Sequence, residues 1–512
     1  MLVKSFGAAV QGIDATIITV EVNVSSGIKF FLVGLPDNAI KESHERIMSA
    51  FGHKGYKFPR QQVIINMAPA DIRKAGSSYD LPIAMGILAA SGELSEKLLN
   101  EYVIMGELSL DGKVLPIKGA LPIAVKAREV GFKGLILPKE NAREAAVVNE
   151  LDILGVDDIS EVVDFLNEKT KIETTIVNTK EDFLNHVNKD EPDFADVKGQ
   201  ESVKRALEVA AAGGHNIILI GPPGAGKSMM AKRIPSILPP LSLSEALETT
   251  KIHSVAGKLD KTTSLLHHRP FRSPHHTISD TALVGGGTYP QPGEISLSHN
   301  GVLFLDELPE FKRSVLEVMR QPLEDRKITI SRTSCSIEYP ASFMLVASMN
   351  PCPCGYYNHP ERPCVCAPGA VQKYLSRISG PLLDRIDLQI EITPISFGQL
   401  SNRNQSESSA IIRERVINAR NIQEKRYKNS NGVHCNAQMT VKLLHKYVQP
   451  DEAGLKMLQY AMSKLHLSAR AYDRILKVAR TIADLDNSER VTAEHLSEAI
   501  GYRNLDREGW GG

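Results

Sequence analysis

The sequence has few cysteines, no long apolar run and no excess of charge of either sign. Only 6 cysteines occur in 512 residues, far fewer than a secreted disulfide scaffold carries. No segment reaches the roughly 18–20 apolar residues that a membrane-spanning helix requires, and Leu81 to Ala90 is the longest candidate. Lys+Arg and Asp+Glu both number 60, which excludes a basic surface over the whole protein and leaves only local patches for nucleic acid.

The composition is otherwise that of an ordinary globular protein. The hydrophobic fraction is 42% and the charged fraction 23%, which excludes low-complexity disorder, collagen and coiled coil as the main architecture. The first residues lack a continuous apolar stretch and carry Asp14 early, so no signal peptide is predicted. We therefore expect a cytoplasmic protein without a membrane partner and with about three domains.

The pattern of apolar and polar residues divides the chain into four parts. Residues 1–167 alternate strand and helix signals, residues 168–192 form a polar linker or a poorly packed edge strand, residues 193–395 form a second α/β block, and residues 405–506 are helical. The predicted strands include Thr16–Val24, Phe30–Val33, Val63–Met67, Asn216–Ile220, Val302–Leu305 and Phe343–Ser348. The predicted helices are Asn38–Gly52, Asp80–Ala90, Ile117–Val130, Ala410–Tyr427, Val441–Tyr447, Ala453–Leu465, Ser468–Leu485 and Thr492–Tyr502.

A phosphate-binding loop follows the first strand of the second block. The residues that match G-x-x-x-x-G-K-[ST] are Gly221, Pro222, Pro223, Gly224, Ala225, Gly226, Lys227 and Ser228. An apolar strand precedes them and a helix-competent segment follows, as the motif requires, so a chance glycine-rich turn is a poor alternative. The backbone N–H groups can surround phosphate oxygens, the Lys227 ammonium can reach the β- and γ-phosphates, and the Ser228 hydroxyl can bind Mg²⁺.

Two further apolar strands end in groups that suit ATP hydrolysis. Val302–Leu305 is followed by Asp306, which fits the Mg²⁺ site, and by Glu307, which fits a base that polarises the attacking water. Phe343–Ser348 is followed by Asn350, whose amide can position that water or can instead cap the turn before Pro351. The Asp306-Glu307 pair favours hydrolysis over transfer to a small acceptor.

Arginines near the end of the second α/β block and in the helical part are candidates for contacts with nucleotide. Arg385, in the run Ser379-Gly-Pro-Leu-Leu-Asp-Arg-Ile-Asp387, can act as an arginine finger on a neighbouring subunit, or can form an ion pair with Asp384 or Asp387. Arg470 and Arg474 open a helix of the C-terminal part, where either can lean over the nucleotide or remain solvated.

Four of the six cysteines form two C-x-C pairs, and the pairs predict a structural zinc site. Cys352, Cys354, Cys364 and Cys366 can bring four thiolates to one tetrahedral Zn²⁺, with His359 as a possible substitute ligand and free thiols as the alternative. Cys335 and Cys435 are isolated, so we expect structural roles for them. The adjacent pairs His267-His268 and His275-His276 are poor chelates, which favours hydrogen-bonding or packing roles.

Together these motifs resemble an AAA+ ATPase with an α-helical lid. The runs Phe271-Arg-Ser-Pro-His-His276, Gly285-Gly-Gly287, Gly293-Glu294, His299-Asn-Gly301 and that from Ser379 resemble the magnesium-chelatase-like branch. With the N-terminal domain and the paired cysteines, essentially the whole chain is similar to the YifB/ComM family. The fold class is therefore predicted as α/β, a P-loop AAA+ ATPase core and α-helical lid preceded by a Lon-protease-like (ribosomal S5 domain 2-like) α+β domain.

The resemblance also assigns roles to residues of this chain. It makes Asn350 the sensor-1 residue, Arg385 the trans-acting finger and Arg470 the sensor-2 residue, with Arg474 as the fallback. The segment holding Phe271 to Gly287 resembles the helix-2 insert of this clade. Asp325 to Arg332 is predicted to form a hairpin that, in related motors, projects into the ring pore and contacts DNA. Arg326, Lys327 and Arg332 can contact phosphates there, and a solvated hairpin is the alternative.

The N-terminal domain resembles the proteolytic domain of Lon but lacks its catalytic groups. Ile83 occupies the position of the nucleophile and Leu121 that of the catalytic lysine, so no peptidase activity is predicted. The domain is expected to dock DNA or a partner instead.

The resemblance implies a homo-hexameric, Mg²⁺-ATP-driven DNA motor that migrates branched recombination intermediates, alone or with recombination proteins. The basic stretch from Ile412 to Lys428 can assist DNA binding or simply form a solvated helix face. The alternative functions are a chelatase-type ATPase that remodels proteins and, against the evidence of Ile83 and Leu121, an ATP-dependent protease.

Overall fold

The computed structural model describes residues 1–179, 192–287, 289–332, 335–394, 406–430, 432–465 and 467–503. Within them lie two large β-sheets, each covered by helices, and a C-terminal group of helices. The mixed α/β architecture with a parallel sheet confirms the predicted fold class. Within the described residues, no helix has the length and apolar character that a bilayer crossing requires.

A seven-stranded mixed sheet forms the centre of the N-terminal domain. Its strands are β1 (Leu2–Gln11), β2 (Asp14–Ser25), β3 (Phe30–Val33), β4 (Gln62–Ala68), β5 (Tyr102–Ile104), β8 (Gly134–Pro138) and β9 (Asp152–Val156), while β6 (Glu107–Leu108) and β7 (Val114–Leu115) form a separate hairpin. The order is β3-β4-β2-β1-β5-β8-β9. The helices are α1 (Asn38–Lys41), α2 (Ser43–Lys54), α3 (Asp80–Ala90), α4 (Ala120–Val130), α5 (Lys139–Ala145) and α6 (Ile159–Leu166), and Ser77–Tyr79 is a 3₁₀ turn.

Helix α3 is the apolar centre of this domain. All eleven of its residues are buried, which explains why its sequence shows no polar face. The Asp80 carboxylate at its first position is buried and pairs with the half-buried Arg46 guanidinium, whose Nε donates to it across 2.6 Å. An ion pair thus neutralises the charge that begins the helix.

A five-stranded parallel sheet forms the centre of the ATPase core. Its order is β11-β14-β17-β10-β18, with β10 (Ile217–Ile220) between β17 (Met344–Met349) and β18 (Leu388–Glu391). The other strands of this part are β11 (Phe271–Arg272), β12 (Gly285–Gly286), β13 (Gln291–Pro292), β14 (Val302–Leu305), β15 (Lys327–Arg332) and β16 (Cys335–Pro340). All residues of β10, β14 and β17 are buried, which is typical of a parallel sheet covered on both faces.

Helices cover both faces of this sheet, and five more form the C-terminal lid. The core helices are α7 (Glu201–Gly213), α8 (Lys227–Ile237), α9 (Leu243–Ala256), α10 (Asp280–Val284), α11 (Glu294–Leu297), α12 (Arg313–Val318), α13 (Arg320–Asp325), α14 (Ala370–Leu375) and α15 (Gly380–Leu383), with 3₁₀ turns at Phe194–Asp196 and Leu308–Glu310. The lid contains α16 (Ser409–Tyr427), α17 (Val441–Tyr447), α18 (Glu452–Lys464), α19 (Ala469–Leu485) and α20 (Ala493–Gly501), with a 3₁₀ turn at Asn436–Gln438. One hydrophobic cluster joins sheet and lid, including Ile217, Phe304 and Ile475.

The N-terminal domain and the ATPase core also share a hydrophobic cluster. Ala246 of α9 and Leu241 and Leu265 beside it pack with Leu121 of α4. At the edge of this cluster the hydroxyl of Ser254 donates to the buried carboxylate of Glu144. Burial raises the pKa of Glu144 above its usual range, and its hydrogen bonds only partly offset that effect.

Most of the elements that the sequence analysis predicted lie within a few residues of the observed ones. Strands β3 and β14 and helices α3 and α17 have the predicted bounds. The helix predicted over Asn38–Gly52 is instead two helices that meet at Glu42, and the second continues to Lys54. The predicted linker is described only to residue 179, where Thr174 bridges Leu154 of β9 in the manner of an edge strand, and residues 180–191 lie outside the described part. The domain boundaries at 395, 405 and 506 also fall outside it.

Candidate nucleotide and metal sites

The P-loop connects the central strand β10 to helix α8. Gly224 and Gly226 have φ angles of 80° and 85°, a left-handed conformation that residues with a Cβ rarely adopt. The chain therefore curls tightly enough for helix α8 to begin at Lys227, with its N-terminus at the loop. Of the eight predicted residues, Gly221 to Gly226 form the loop, and Lys227 and Ser228 begin helix α8.

The Lys227 ammonium lies at the centre of the loop. Its Nζ donates to the carbonyl oxygens of Gly221 at 2.7 Å and Pro222 at 3.0 Å, and to Asn350 Oδ1 at 3.0 Å. Burial lowers the pKa of Lys227, and the nearby Asp306 and Glu307 carboxylates oppose that shift. The loop thus satisfies the ammonium with neutral oxygens that a phosphate can replace.

Hard oxygen ligands for Mg²⁺ meet beside the lysine. The Ser228 hydroxyl donates to Asp306 Oδ2 at 2.7 Å, and the Glu307 backbone N–H donates to Asp306 Oδ1 at 3.1 Å. The Ser348 hydroxyl donates to the same Oδ1. A hydroxyl and a carboxylate within hydrogen-bond distance suit an octahedral magnesium ion that keeps several waters, so the residues fit the group that the motif implies.

The structure adds Ser348 and His276 to the predicted residues. Ser348, at the fifth position of β17, was missed because a serine inside an apolar strand carries no motif of its own. His276 Nδ1 lies 3.6 Å from Glu307 Oε2, a contact between two segments that sequence spacing does not reveal. The signal that could have found it is the histidine pair in the insert.

Asn350 lies beside the P-loop because the strand before it, β17, neighbours the strand before the P-loop, β10. It follows β17, which pairs with β10, and the Gly221 N–H donates to Met349 O at 3.2 Å, so the P-loop and Asn350 are held side by side. Its side chain accepts from Lys227 as described, rather than serving only the turn before Pro351. Its contact with Lys227 is compatible with a position near the γ-phosphate. The sensor-1 role of Asn350 stays a prediction.

The three candidate arginines lie near one another but differ in exposure. Arg385 is buried, donates to Pro381 O at 2.7 Å and pairs with Glu324. Arg474 donates to the buried Asp387 at 2.8 Å. Arg470 is exposed in the first turn of α19. Of the two sensor-2 candidates, Arg470 therefore has the freer side chain, while Arg474 is engaged between lid and core.

The four predicted cysteines are gathered into one cluster. Their sulfur atoms all lie within 4.8 Å of one another, with Cys352 Sγ 3.3 Å from Cys354 Sγ and 3.7 Å from Cys364 Sγ. A tetrahedral zinc tetrathiolate has sulfur atoms about 3.8 Å apart, so the donor set fits Zn²⁺. Burial raises the pKa of Cys354, but backbone hydrogen bonds from Tyr356 and Val365 outweigh it, whereas hydrogen bonds with the other cysteines hold the pKa of Cys364 and Cys366 above its usual range.

The cysteine loop packs directly against the P-loop. A Cβ placed on Gly355 would lie 2.5 Å from Cδ of Pro223, so only glycine allows this approach.

His359, the predicted substitute ligand, is engaged in its own loop. Its Nδ1 accepts the backbone N–H groups of Glu361 and Arg362, both at 3.0 Å, which removes it as a substitute ligand through that nitrogen. Cys435 is buried away from the cluster, and the side chain of Cys335 lies outside the described part.

The three residues predicted to contact DNA differ in position, and Arg326 lies at the base of the hairpin. The hairpin of β15 and β16 is present, but Arg326 precedes it, donates to Ser342 Oγ at 3.4 Å and is enclosed enough that burial lowers its pKa. Lys327 is on the exposed hairpin and pairs with Glu338 at 3.0 Å. The side chain of Arg332 is outside the described part.

The basic helix α16 is also largely engaged within the chain. Arg415 pairs with Glu208 and Glu407, and Arg420 donates to Ala211 O at 2.9 Å. These arginines therefore join the lid to α7 instead of forming an open basic face.

Ile83 and Leu121 lie in the core of the N-terminal domain. Both are fully buried, in α3 and α4, among other apolar side chains. Neither position offers a nucleophile or a base, so the prediction of no peptidase activity rests on these two side chains.

Family models of magnesium chelatase match three parts of the chain. The model of magnesium chelatase subunit ChlI matches residues 193–400, that of subunit ChlI of Mg-chelatase matches residues 20–141, and that of the ChlI C-terminal part matches residues 406–503.

Some individual relatives match this chain over almost its full length, and a Lon protease matches part of it. The competence protein ComM of Haemophilus influenzae is 43% identical over 508 residues, which cover 98% of this chain and 97% of the relative. The protein YifB of Escherichia coli K12 is 45% identical over 507 residues, 98% of this chain and 96% of the relative. Lon protease 2 of Bacillus subtilis is 33% identical over 159 residues, 28% of this chain and 27% of the protease.

Proposed function

The chain belongs to the YifB/ComM family of magnesium-chelatase-like AAA+ proteins, and on that premise we propose that it is a ring-forming, ATP-driven motor on DNA. The proposed task is branch migration of recombination intermediates in the cytoplasm. One observation carries the proposal: at the P-loop the Lys227 ammonium donates to Asn350 Oδ1 and the Ser228 hydroxyl donates to Asp306 Oδ2, which places the predicted ATPase residues in one site.

The residues of this site suit the separate steps of ATP hydrolysis. Mg²⁺ held by Ser228 and Asp306 would neutralise charge on the β- and γ-phosphates. Lys227 exchanges its carbonyl partners for phosphate oxygens, and Asn350 keeps the ammonium aimed at the γ-phosphate. Glu307, which follows Asp306 at the end of β14, accepts the proton of the attacking water.

A ring is proposed because the finger arginine does not contact its own nucleotide loop. The contacts of Arg385 are with Pro381 and Glu324, not with any residue of the Gly221–Ser228 turn. In the proposed homo-hexamer, Arg385 would exchange Glu324 for the γ-phosphate of a nucleotide bound by the neighbouring subunit.

We propose that the motor moves along DNA for two reasons: the name of one relative and the exposed β15–β16 hairpin. The name of the Haemophilus relative places it in competence. On this chain the β15–β16 hairpin carries the exposed Lys327, which can exchange Glu338 for a phosphate. Recombination proteins are proposed as partners on the same ground.

A structural Zn²⁺ is proposed for the four cysteines. With four thiolates gathered, no open position is left for a substrate, so the metal would brace the loop after Asn350. The Gly355–Pro223 contact would carry that bracing to the P-loop.

A second candidate is an ATPase that remodels a protein, as a chelatase subunit does. The three family models favour it because all are magnesium chelatase subunits. It predicts stimulation by a protein partner and indifference to DNA.

Steady-state ATP hydrolysis with and without DNA separates the two. Single-stranded, duplex and four-way-junction DNA are each added to the wild type, Lys227→Ala and Glu307→Gln. We expect DNA to stimulate the wild type and neither variant to hydrolyse ATP above background. Hydrolysis that ignores every DNA would favour the remodelling ATPase.

A further inference from the structure

A cavity of about 210 Å³ opens at the edge of the N-terminal sheet, and all of its lining residues belong to the N-terminal domain. Strand β3 is the last strand at this edge, and the cavity lies between the turn before β3 and the loop before β4. Its lining includes Lys29, Phe30, His44, Phe58 and Arg60. The volume is smaller than the roughly 300–1,000 Å³ of pockets that enclose a whole small molecule. The cavity therefore suits one ring of a larger ligand.

One wall of this cavity is aromatic. The ring centroids of Phe30 and His44 are 4.4 Å apart, and the His44 and Phe58 rings meet edge to face at 5.3 Å. Phe30 and Phe58 are half-buried, and the buried Phe51 supports Phe58 from the core with centroids 6.1 Å apart. His44 Nδ1 lies 3.2 Å from the Glu45 carboxylate, so we assign His44 a ring contact and not a phosphate contact. Partly exposed rings held in this way offer the faces on which nucleobases stack.

The rim of the cavity is basic. Lys29 and Arg60 line the cavity, Lys57 lies in the same loop as Arg60, and all three side chains are exposed. Among the described residues, none of the three has an ion-pair partner. Neither residues 22–36 nor residues 46–70 contain an aspartate or a glutamate. In a chain without net charge this is a local positive patch, which complements a phosphate backbone.

From the aromatic wall and the basic rim we propose that this cavity binds a single strand of DNA. One base stacks against Phe30 and Phe58, and the flanking phosphates pair with Lys29 and Arg60. Duplex DNA does not fit the site, because its bases are already stacked on one another. An acidic peptide would match the rim but has no planar ring for the wall. The inference rests on the proposed DNA motor and names the form of DNA that the N-terminal domain holds.

The cavity is separate from the ATPase site. Lys29 precedes strand β3 and Asp37 follows it, and Asp37 Oδ2 accepts from the Tyr289 hydroxyl of the ATPase core at 2.8 Å. The cavity thus lies at the other end of β3 from this contact with the core. Substitutions in the cavity should therefore leave ATP hydrolysis without DNA unchanged.

The same domain supplies matched controls for two variants. Arg60→Gln removes a charge from the rim, and Phe58→Leu removes a ring but keeps an apolar side chain. Their controls are Arg128→Gln and Phe132→Leu, and neither of these residues lines the cavity. Arg128 is exposed and has no ion-pair partner among the described residues. Phe132 is half-buried and meets the Phe6 ring edge to face at 5.1 Å.

The Kd of a fluorescein-labelled oligothymidine for full-length protein is measured by anisotropy at several salt concentrations. Phe58→Leu should raise this Kd at least about fivefold over Phe132→Leu at every salt concentration, because stacking is lost and the phosphate contacts are not. Its preference for oligothymidine over an abasic strand of equal length should fall by the same factor. Arg60→Gln and Lys29→Gln should each reduce the slope of log K against log salt by about 0.7 relative to Arg128→Gln.

The outcomes separate this inference from the proposed function. If Phe58→Leu, Arg60→Gln and Lys29→Gln bind the strand as the controls do, the inference is overturned, even when DNA stimulates ATP hydrolysis by the wild type. It is also overturned if Arg60→Gln weakens binding of a polyglutamate peptide while Phe58→Leu leaves strand binding unchanged. Weakened strand binding in the cavity variants, with wild-type hydrolysis that ignores DNA, supports the site and overturns the motor. Thermal unfolding and DNA-free hydrolysis report folding, and the two exposed rim variants carry the test if Phe58→Leu does not fold.

Discussion

Replacement of Gly355 by alanine should weaken ATP binding without touching a nucleotide ligand. The new methyl group would lie 2.5 Å from Pro223 Cδ, closer than real Cβ contacts allow. Gly355 also has a φ of 84°, so alanine adds a backbone cost of roughly 1–2 kcal/mol. Overpacking of this kind costs about 1–3 kcal/mol, which the structure relieves by displacing the P-loop or the cysteine loop.

Gly369→Ala is the matched control for the backbone cost. Gly369 has a φ of 75° in the same segment of the chain, but nothing lies within 4 Å of its ideal Cβ position. The difference between the two variants therefore isolates the contact with Pro223. If the P-loop takes up the strain, Gly355→Ala should raise the Kd for ATP at least about fivefold over Gly369→Ala.

The assay is titration of a fluorescent ATP analogue, with zinc content and thermal unfolding measured on the same samples. Equal nucleotide affinity of the two variants, with both folded, would refute the claim that the cysteine loop supports the P-loop. Loss of zinc from Gly355→Ala with unchanged ATP affinity would show that the cysteine loop moves alone.

Three further predictions concern metal sites and the lid. Cys364→Ser should reduce bound zinc from about one per chain to none by elemental analysis, while Cys435→Ser, outside the cluster, should keep it. Ser348→Ala removes a donor to Asp306 and should raise the Mg²⁺ concentration for half-maximal hydrolysis about tenfold, with ATP affinity in excess Mg²⁺ unchanged. Burial raises the pKa of Asp387, but Arg474 and hydrogen bonds hold it well below its ordinary range. Asp387→Asn should therefore lower the free energy of unfolding by about 3–5 kcal/mol at pH 7 in urea titrations. That deficit should shrink below about pH 4, because the unfolded carboxylate protonates there first and the wild type then loses its advantage; a constant deficit down to pH 3 would contradict this reasoning.

The parts of the site that sequence reasoning found are those encoded in short, continuous runs. A P-loop places Lys227 and Ser228 by local geometry alone, and two apolar strands deliver Asp306 and Asn350 to the same sheet edge. The cysteine cluster was also predictable, since Cys352, Cys354, Cys364 and Cys366 lie close together in the sequence. Contacts between distant segments, such as Gly355 with Pro223, have no local signal.

Charged residues were harder to place because a polar side chain suits either solvent or an internal partner. Arg415 and Arg420 appear on a basic helix in the sequence, yet their partners lie on α7, about two hundred positions earlier. Arg326 was expected on a hairpin and instead lies at its base beside Ser342. Only the packing of lid on core decides these cases.

The most direct test of a DNA motor is movement of a DNA branch, not hydrolysis alone. A four-way junction labelled on one strand is incubated with the full-length protein, Mg²⁺ and ATP, and the exchanged products are separated on a gel. The account predicts products that require hydrolysable ATP and are absent with Lys227→Ala and Glu307→Gln. An unmoved junction in the presence of DNA-bound, ATP-hydrolysing wild-type protein would contradict it.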